Sequence, residues 1–112
     1  MVIVALVGAA LAVVPPTADA QVPTCFGQPA TIVATAGERT VGTSGPDVIV
    51  GTAGPDDIRG RGGDDLICGL GGPDVIRGNA GADRIAAGPG RDQVWGGKGA
   101  DTISGGKGRD EL

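Results

Sequence analysis

The stretch that decides the fold runs from Gly42 to Leu112 and divides into eight units: GTSGPDVIV (42–50), GTAGPDDIR (51–59), GRGGDDLIC (60–68), GLGGPDVIR (69–77), GNAGADRIA (78–86), AGPGRDQVW (87–95), GGKGADTIS (96–104) and GGKGRDEL (105–112). The nine-residue period holds without insertion or deletion. Gly fills the fourth position in every unit, Asp the sixth and an aliphatic residue the eighth, while Gly fills the first position in all but the sixth unit, which has Ala87. Glycines at the first and fourth positions allow backbone angles closed to other residues, so a six-residue loop can turn tightly enough for its carbonyls to converge. Three residues remain for a short strand, whose central aliphatic side chain points opposite to its two neighbours. A single unit cannot bury that one side chain, so the units must stack.

This pattern closely resembles the RTX, or haemolysin-type, calcium-binding nonapeptide GGxGxDxUx. The resemblance covers 42–112 and departs from the pattern at the second position, where Thr43, Thr52, Arg61, Leu70 and Asn79 stand in place of Gly before Gly88, Gly97 and Gly106 restore it. It implies an all-β fold, a right-handed parallel β-roll with two nonapeptides per coil. Unit n then lies beside unit n+2 at about 4.8 Å, odd units form one sheet, even units the other, and the eight aliphatics fill the space between.

Stacking sets the Asp of one coil against the Asp of the next. Two unit charges 4 Å apart repel by about 4 kcal/mol at an effective dielectric of 20. A divalent ion between each pair converts the repulsion into attraction. Carboxylates and backbone carbonyls are hard oxygen donors, which favour Ca²⁺ over softer metals, and irregular loops disfavour the octahedron that Mg²⁺ demands. The expected ligands are Asp47, Asp56, Asp65, Asp74, Asp83, Asp92, Asp101 and Asp110, with the carbonyls of the turns at Gly42, Gly51, Gly60, Gly69, Gly78, Gly96 and Gly105. Up to six Ca²⁺ ions follow from the six pairs of unit n with unit n+2, with fewer where end turns lose ligands or where Ala87 or Pro89 distorts a loop.

Upstream, Val2–Val14 is an uncharged apolar run followed by Ala18-Asp19-Ala20. It reads as a signal peptide over residues 1–20 with cleavage before Gln21, and it is short for a membrane span. The mature chain is therefore expected to be secreted and extracellular. Residues 21–41 read as an N-terminal cap. Within it Thr31-Ile32-Val33 is a candidate strand, and Ala34–Val41 imitates a unit lacking its ninth residue, with Arg39 at the Asp phase, where it ends the ion column. The outer face of the odd sheet (Val48, Val50, Leu66, Cys68) is apolar and needs a cover. The cap is expected to supply it through Cys25, Phe26, Ile32 and Val33, stapled by a Cys25–Cys68 disulfide.

The rest of the composition excludes more than it proposes. The 112 residues include no His, which removes imidazole catalysis and His-based zinc sites, and only two aromatic residues, too few for an ordinary core. The net charge is −4 and the Lys and Arg residues are scattered, so nucleic acid is not an expected partner. No GxxxxGK[ST], GxGxxG, GxSxG or EF-hand pattern occurs. Asp57 and Asp64, beside Asp56 and Asp65, read as extra ligands or solvated turn residues rather than a hydrolytic pair. The reading is thus a non-catalytic calcium-binding protein. A second reading makes it a small adhesin that meets a cell surface or glycan through the outer face at Arg59, Arg77 and Trp95, where Arg77 is placed for a cation-π contact with Trp95. The open final strand points to self-association at the C-terminal edge or to a missing C-terminus.

Overall fold

The computed structural model describes residues 22–112, so the signal-peptide reading of residues 1–20 lies outside the described residues. Among the described residues there are eleven strands, β1 (Thr24–Cys25), β2 (Gln28–Pro29), β3 (Ile32–Val33), β4 (Arg39–Val41), β5 (Val48–Val50), β6 (Asp57–Arg59), β7 (Leu66–Cys68), β8 (Val75–Arg77), β9 (Arg84–Ala86), β10 (Gln93–Trp95) and β11 (Thr102–Ser104). There is no helix among the described residues. From β5 onward each strand is the last three residues of one unit, as the period predicts: six residues of loop, three of strand.

The strands sort by parity. One sheet has the order β11-β9-β7-β5-β3 and the other β10-β8-β6-β4, all parallel. Pairing is in register at eighteen residues, Ile49 opposite Ile67 and Ile67 opposite Ile85 on one side, Ile58 opposite Ile76 and Ile76 opposite Val94 on the other. The protein is therefore a parallel β-roll with two nonapeptides per coil. Its elongated form, 51 × 26 × 23 Å, follows from stacking in one direction. Between the sheets Ile49, Ile58, Ile67, Ile76, Ile85, Ala87 and Val94 form the core, with Ile32 and Ile103 packed against it. The eighth aliphatic does not join them. Unit 8 contributes only a bridge from Glu111 to Gln93, and Leu112 is 67% exposed.

The cap departs from its expected register in two ways. Arg39, Thr40 and Val41 pair with Asp57, Ile58 and Arg59, which puts Arg39 at the seventh, outward phase and Glu38 at the Asp phase. Ala34–Val41 is indeed one residue short, but the missing residue is taken from the loop and not from the ninth position. Strand register is fixed by the ladder and the core side chain, here Thr40 opposite Ile58, so the loop absorbs the deletion. Arg39 still pairs with a carboxylate, its Nε lying 2.8 Å from Asp57 Oδ2 on the outer face.

The second departure concerns the cover. Ile32 and Val33 are not laid over the odd sheet. They extend it, pairing with Ile49 and Val50, so that Ile32 points toward the core and Val33 is left exposed. The cover is the antiparallel hairpin β1-β2. Cys25 and Val50 are buried under it, Cys25 is bonded to Cys68, and Phe26 lies 4.2 Å from the Arg84 guanidinium, measured to the ring centroid. The expected disulfide is thus present, and the Arg84–Phe26 contact adds an anchor on the third strand of that face.

Candidate metal centre

Each Asp at the sixth position closes a loop and opens a strand, which fixes its backbone in the ladder and turns its side chain back under the loop. The aspartates form two columns. In each, the N–H of one Asp donates to Oδ1 of the Asp one coil later: Asp47 to Asp65 (2.9 Å), Asp65 to Asp83 (2.9 Å) and Asp83 to Asp101 (2.9 Å) on one side. On the other, Asp56 donates to Asp74 (3.0 Å), Asp74 to Asp92 (2.8 Å) and Asp92 to Asp110 (3.0 Å). The six pairs expected from the period are therefore all brought together. Asp101 and Asp110 stand at the last coil and are part-exposed.

The remaining oxygen, Oδ2, faces the first-position residue of its own loop. A Cβ placed on Gly51 would lie 2.5 Å from Asp56 Oδ2 and 2.6 Å from the Gly69 carbonyl oxygen of the next coil. One on Gly69 would lie 2.6 Å from Asp74 Oδ2 and 2.7 Å from the Ala87 carbonyl oxygen. Gly42, Gly60 and Gly78 are hemmed in by the same pair, the Asp of their own unit and the carbonyl of Gly60, Gly78 or Gly96. Glycine is required at this phase because a carboxylate oxygen and a carbonyl oxygen crowd its Cα from two coils. The nearest atoms to a Cβ on Gly96 and on Gly105 are those of Asp101 and of Asp110. Ala87, the exception in the repeat, does not distort the column: it is buried in the core, and its carbonyl takes the position that glycine carbonyls take elsewhere. Residue type left Ala87 out of the set of first-position carbonyls, whereas phase would have included it.

Two kinds of loop are built on this one pattern. In units 3 to 8 the second and fourth positions are both left-handed, from Arg61 (φ 73°) and Gly63 (φ 85°) through Leu70 (67°) and Asn79 (71°) to Gly106 (80°) and Gly108 (124°). Non-glycine residues held there cost on the order of 1–3 kcal/mol each. In units 1 and 2 neither position is left-handed. There the Thr43 N–H donates to Asp47 Oδ2 (2.7 Å) and its hydroxyl to Oδ1 (2.9 Å), and Thr52 does the same to Asp56 at 2.7 and 2.9 Å. Both oxygens of these two carboxylates are consequently satisfied within their own loop. By contrast, Oδ2 of Asp65, Asp74, Asp83 and Asp92 is buried and accepts no hydrogen bond.

The electrostatics follow. Burial pushes the Asp65 carboxyl up to about 7, helped by the charges of Asp83, Asp47 and Asp64 and opposed by the hydrogen bond from the Asp47 amide. Asp74 is pushed up to about 8, again first by burial and then by Asp56 and Asp92. Asp83 and Asp92 shift in the same direction, for burial first, with Asp101 and Asp64 adding to the one and Asp110 to the other. Four buried oxygens that would be anionic, each without a proton donor and three of them, on Asp65, Asp74 and Asp83, beside a carbonyl of the next coil, fit a hard divalent cation. Among the described residues no three His, Cys, Asp or Glu side chains cluster, so an ion in a column would take backbone oxygens along with its carboxylates.

On the outer face of the four-stranded sheet Arg59, Arg77 and Trp95 share the ninth phase, and the Arg77 guanidinium lies 4.7 Å from the Trp95 ring centroid. No helix among the described residues is long and apolar enough to cross a membrane.

The parallel ladders and the eighteen-residue coil, with its two carboxylate columns, define a β-roll. The family model of the RTX calcium-binding nonapeptide repeat, in four copies, matches residues 41–76 and again 77–112, and the chain belongs to that family. No curated protein and no solved structure matched the chain.

Proposed function

We propose that this chain is an extracellular, non-catalytic calcium-binding module whose β-roll is completed by Ca²⁺ held between the aspartate columns and the turn carbonyls. The observation that carries it is the set of buried, unpartnered Oδ2 atoms on Asp65, Asp74, Asp83 and Asp92. A charge taken out of water without a partner is strongly unfavourable, and here the same defect recurs at every coil of the middle of the roll. Bound Ca²⁺ supplies the missing positive charge. The residues of the chain hold the two coils at a fixed spacing, aim one carboxylate oxygen from each Asp into the gap and exclude water from it.

The domain reading accompanies this: a leader over 1–20, a cap over 21–41 and the roll over 42–112. Export is supported by the Cys25–Cys68 disulfide, since such bonds persist in oxidising compartments. Extracellular modules bind Ca²⁺ at roughly 10⁻⁴ to 10⁻³ M, so such a roll is filled outside a cell and unfilled within it. A structural and not a catalytic role is supported by the ladder of the columns, in which the N–H of one Asp donates to Oδ1 of the Asp one coil later. Far-UV circular dichroism at pH 8 tests the proposal. Excess chelator is expected to remove much of the β-signal and Ca²⁺ to restore it. Identical spectra and identical thermal midpoints in chelator and in Ca²⁺ would refute it.

A further inference from the structure

We infer that Thr43 and Thr52 set the lower boundary of the calcium column, so that the first two turns are closed without metal and the ions are confined to the four gaps under Asp65, Asp74, Asp83 and Asp92. This rests on the calcium reading above and adds which turns take part. All eight units carry the Asp, and six Asp pairs are formed, so the period alone allows up to six sites and does not single out the first two turns. The loops are not equal. In units 1 and 2 the threonine amide donates at 2.7 Å to Oδ2, the oxygen that the later loops leave open, and the threonine hydroxyl donates at 2.9 Å to Oδ1. Thr43 and Thr52 also bond back to their own loops, each hydroxyl accepting from the N–H of Gly45 or Gly54 at 3.2 Å. That turn is self-contained: its carboxylate is desolvated but fully hydrogen-bonded, which is the condition under which a buried charge is tolerated.

The backbone separates the two loop types independently of those hydrogen bonds. Gly45 and Gly54 are not left-handed, and a Cβ on either would meet nothing nearer than the threonine Oγ1 at 3.9 Å. Gly63 and Gly72, the same phase one coil later, are both left-handed at 85°. The orphan oxygens begin at Asp65 and Asp74, in the first unit of each column that lacks threonine. Hydrogen-bond closure and loop conformation thus change at the same boundary. The closed turns lie on the side of the cap, where the hairpin and the disulfide to Cys68 already fasten the chain. The consequence is a metal-free end to which the calcium-dependent coils attach.

Equilibrium dialysis of the full, disulfide-bonded chain against Ca²⁺ counts the ions directly. Four per chain are expected on the wild type. Asp47→Asn with Asp56→Asn should leave the count at four, since an Asn oxygen still accepts from the threonine amide and no ion is lost. Thr43→Gly with Thr52→Gly, which restores glycine at the second position, should raise it above four. Circular dichroism in Ca²⁺ confirms that each variant is folded. A wild-type count other than four, a fall on Asp47→Asn with Asp56→Asn, or a folded Thr43→Gly with Thr52→Gly protein that still binds four would overturn the inference while leaving the calcium reading intact. No binding to any of the three would overturn the calcium reading itself.

Discussion

Asp65 and Asp47 are the same residue at the same phase of the same repeat, one coil apart, yet their carboxylates are in opposite states. Asp47 is met by Thr43, whereas Asp65 has Arg61 at the second position, in a left-handed conformation, and an Oδ2 with no donor. The sequence pattern shows phase but not this difference, because the choice of loop conformation turns on whether a hydroxyl and an amide close on the acid. Thr43 and Thr52 were visible as departures from glycine; their role as internal caps was not. A pH dependence follows at this scale. Asp65 and Asp74 titrate near 7 and 8 in the metal-free fold, and Asp83 and Asp92 are also raised, against about 3.9 in an unfolded chain. Between those values the folded state binds more protons, so the contribution of these four groups to the metal-free roll is fully present below about pH 4 and is lost as pH rises to about 8. Thermal midpoints in chelator should therefore be higher at pH 5 than at pH 8, and saturating Ca²⁺ should narrow or reverse that gap. A metal-free midpoint that is flat or rises with pH would contradict the burial argument.

The unit itself was almost wholly legible. Six residues of loop, three of strand and one inward aliphatic are dictated by the period, and the ladders pair at eighteen residues as stacking requires. Where the period lapsed, in residues 21–41, the register was off by one at Arg39, because a shortened loop and a shortened strand look alike in sequence and only the ladder distinguishes them. Ile32 and Val33 were likewise recognisable as a strand but not as a fifth member of the sheet, since two residues carry too little pattern to fix a partner. The invariant fourth-position glycine also conceals two different needs. A Cβ at Gly63 would lie 2.7 Å from the Pro46 nitrogen at a φ of 85°, while one at Gly45 has open space. Gly63→Ala is expected to destabilise the Ca²⁺-loaded protein by about 1–3 kcal/mol in urea unfolding, and Gly45→Ala by well under about 1 kcal/mol. Equal effects at the two positions would mean that the loops share one conformation.

The whole molecule is a stack in which each coil touches only its neighbours, with a core one aliphatic residue wide per strand. Such an object has little area to bury per residue, and its ends need separate devices. At the start the chain uses a buried Thr40, the hairpin β1-β2, the ion pair from Arg39 to Asp57 and the disulfide. That disulfide joins residues 43 apart in sequence, a loop for which the chain-entropy model gives roughly 4 kcal/mol. Cys25→Ala with Cys68→Ala should lower the unfolding free energy in saturating Ca²⁺ by about that amount, and a loss below about 1 kcal/mol would show that the hairpin holds the cap unaided. Along the stack itself the carboxylate columns oppose assembly unless their charge is met. The central claim, that Ca²⁺ meets it, is tested most directly by anomalous diffraction from crystals grown in ample Ca²⁺. The account predicts anomalous peaks between successive coils beside Oδ2 of Asp65, Asp74, Asp83 and Asp92; well-ordered crystals with no anomalous density along either column would contradict it.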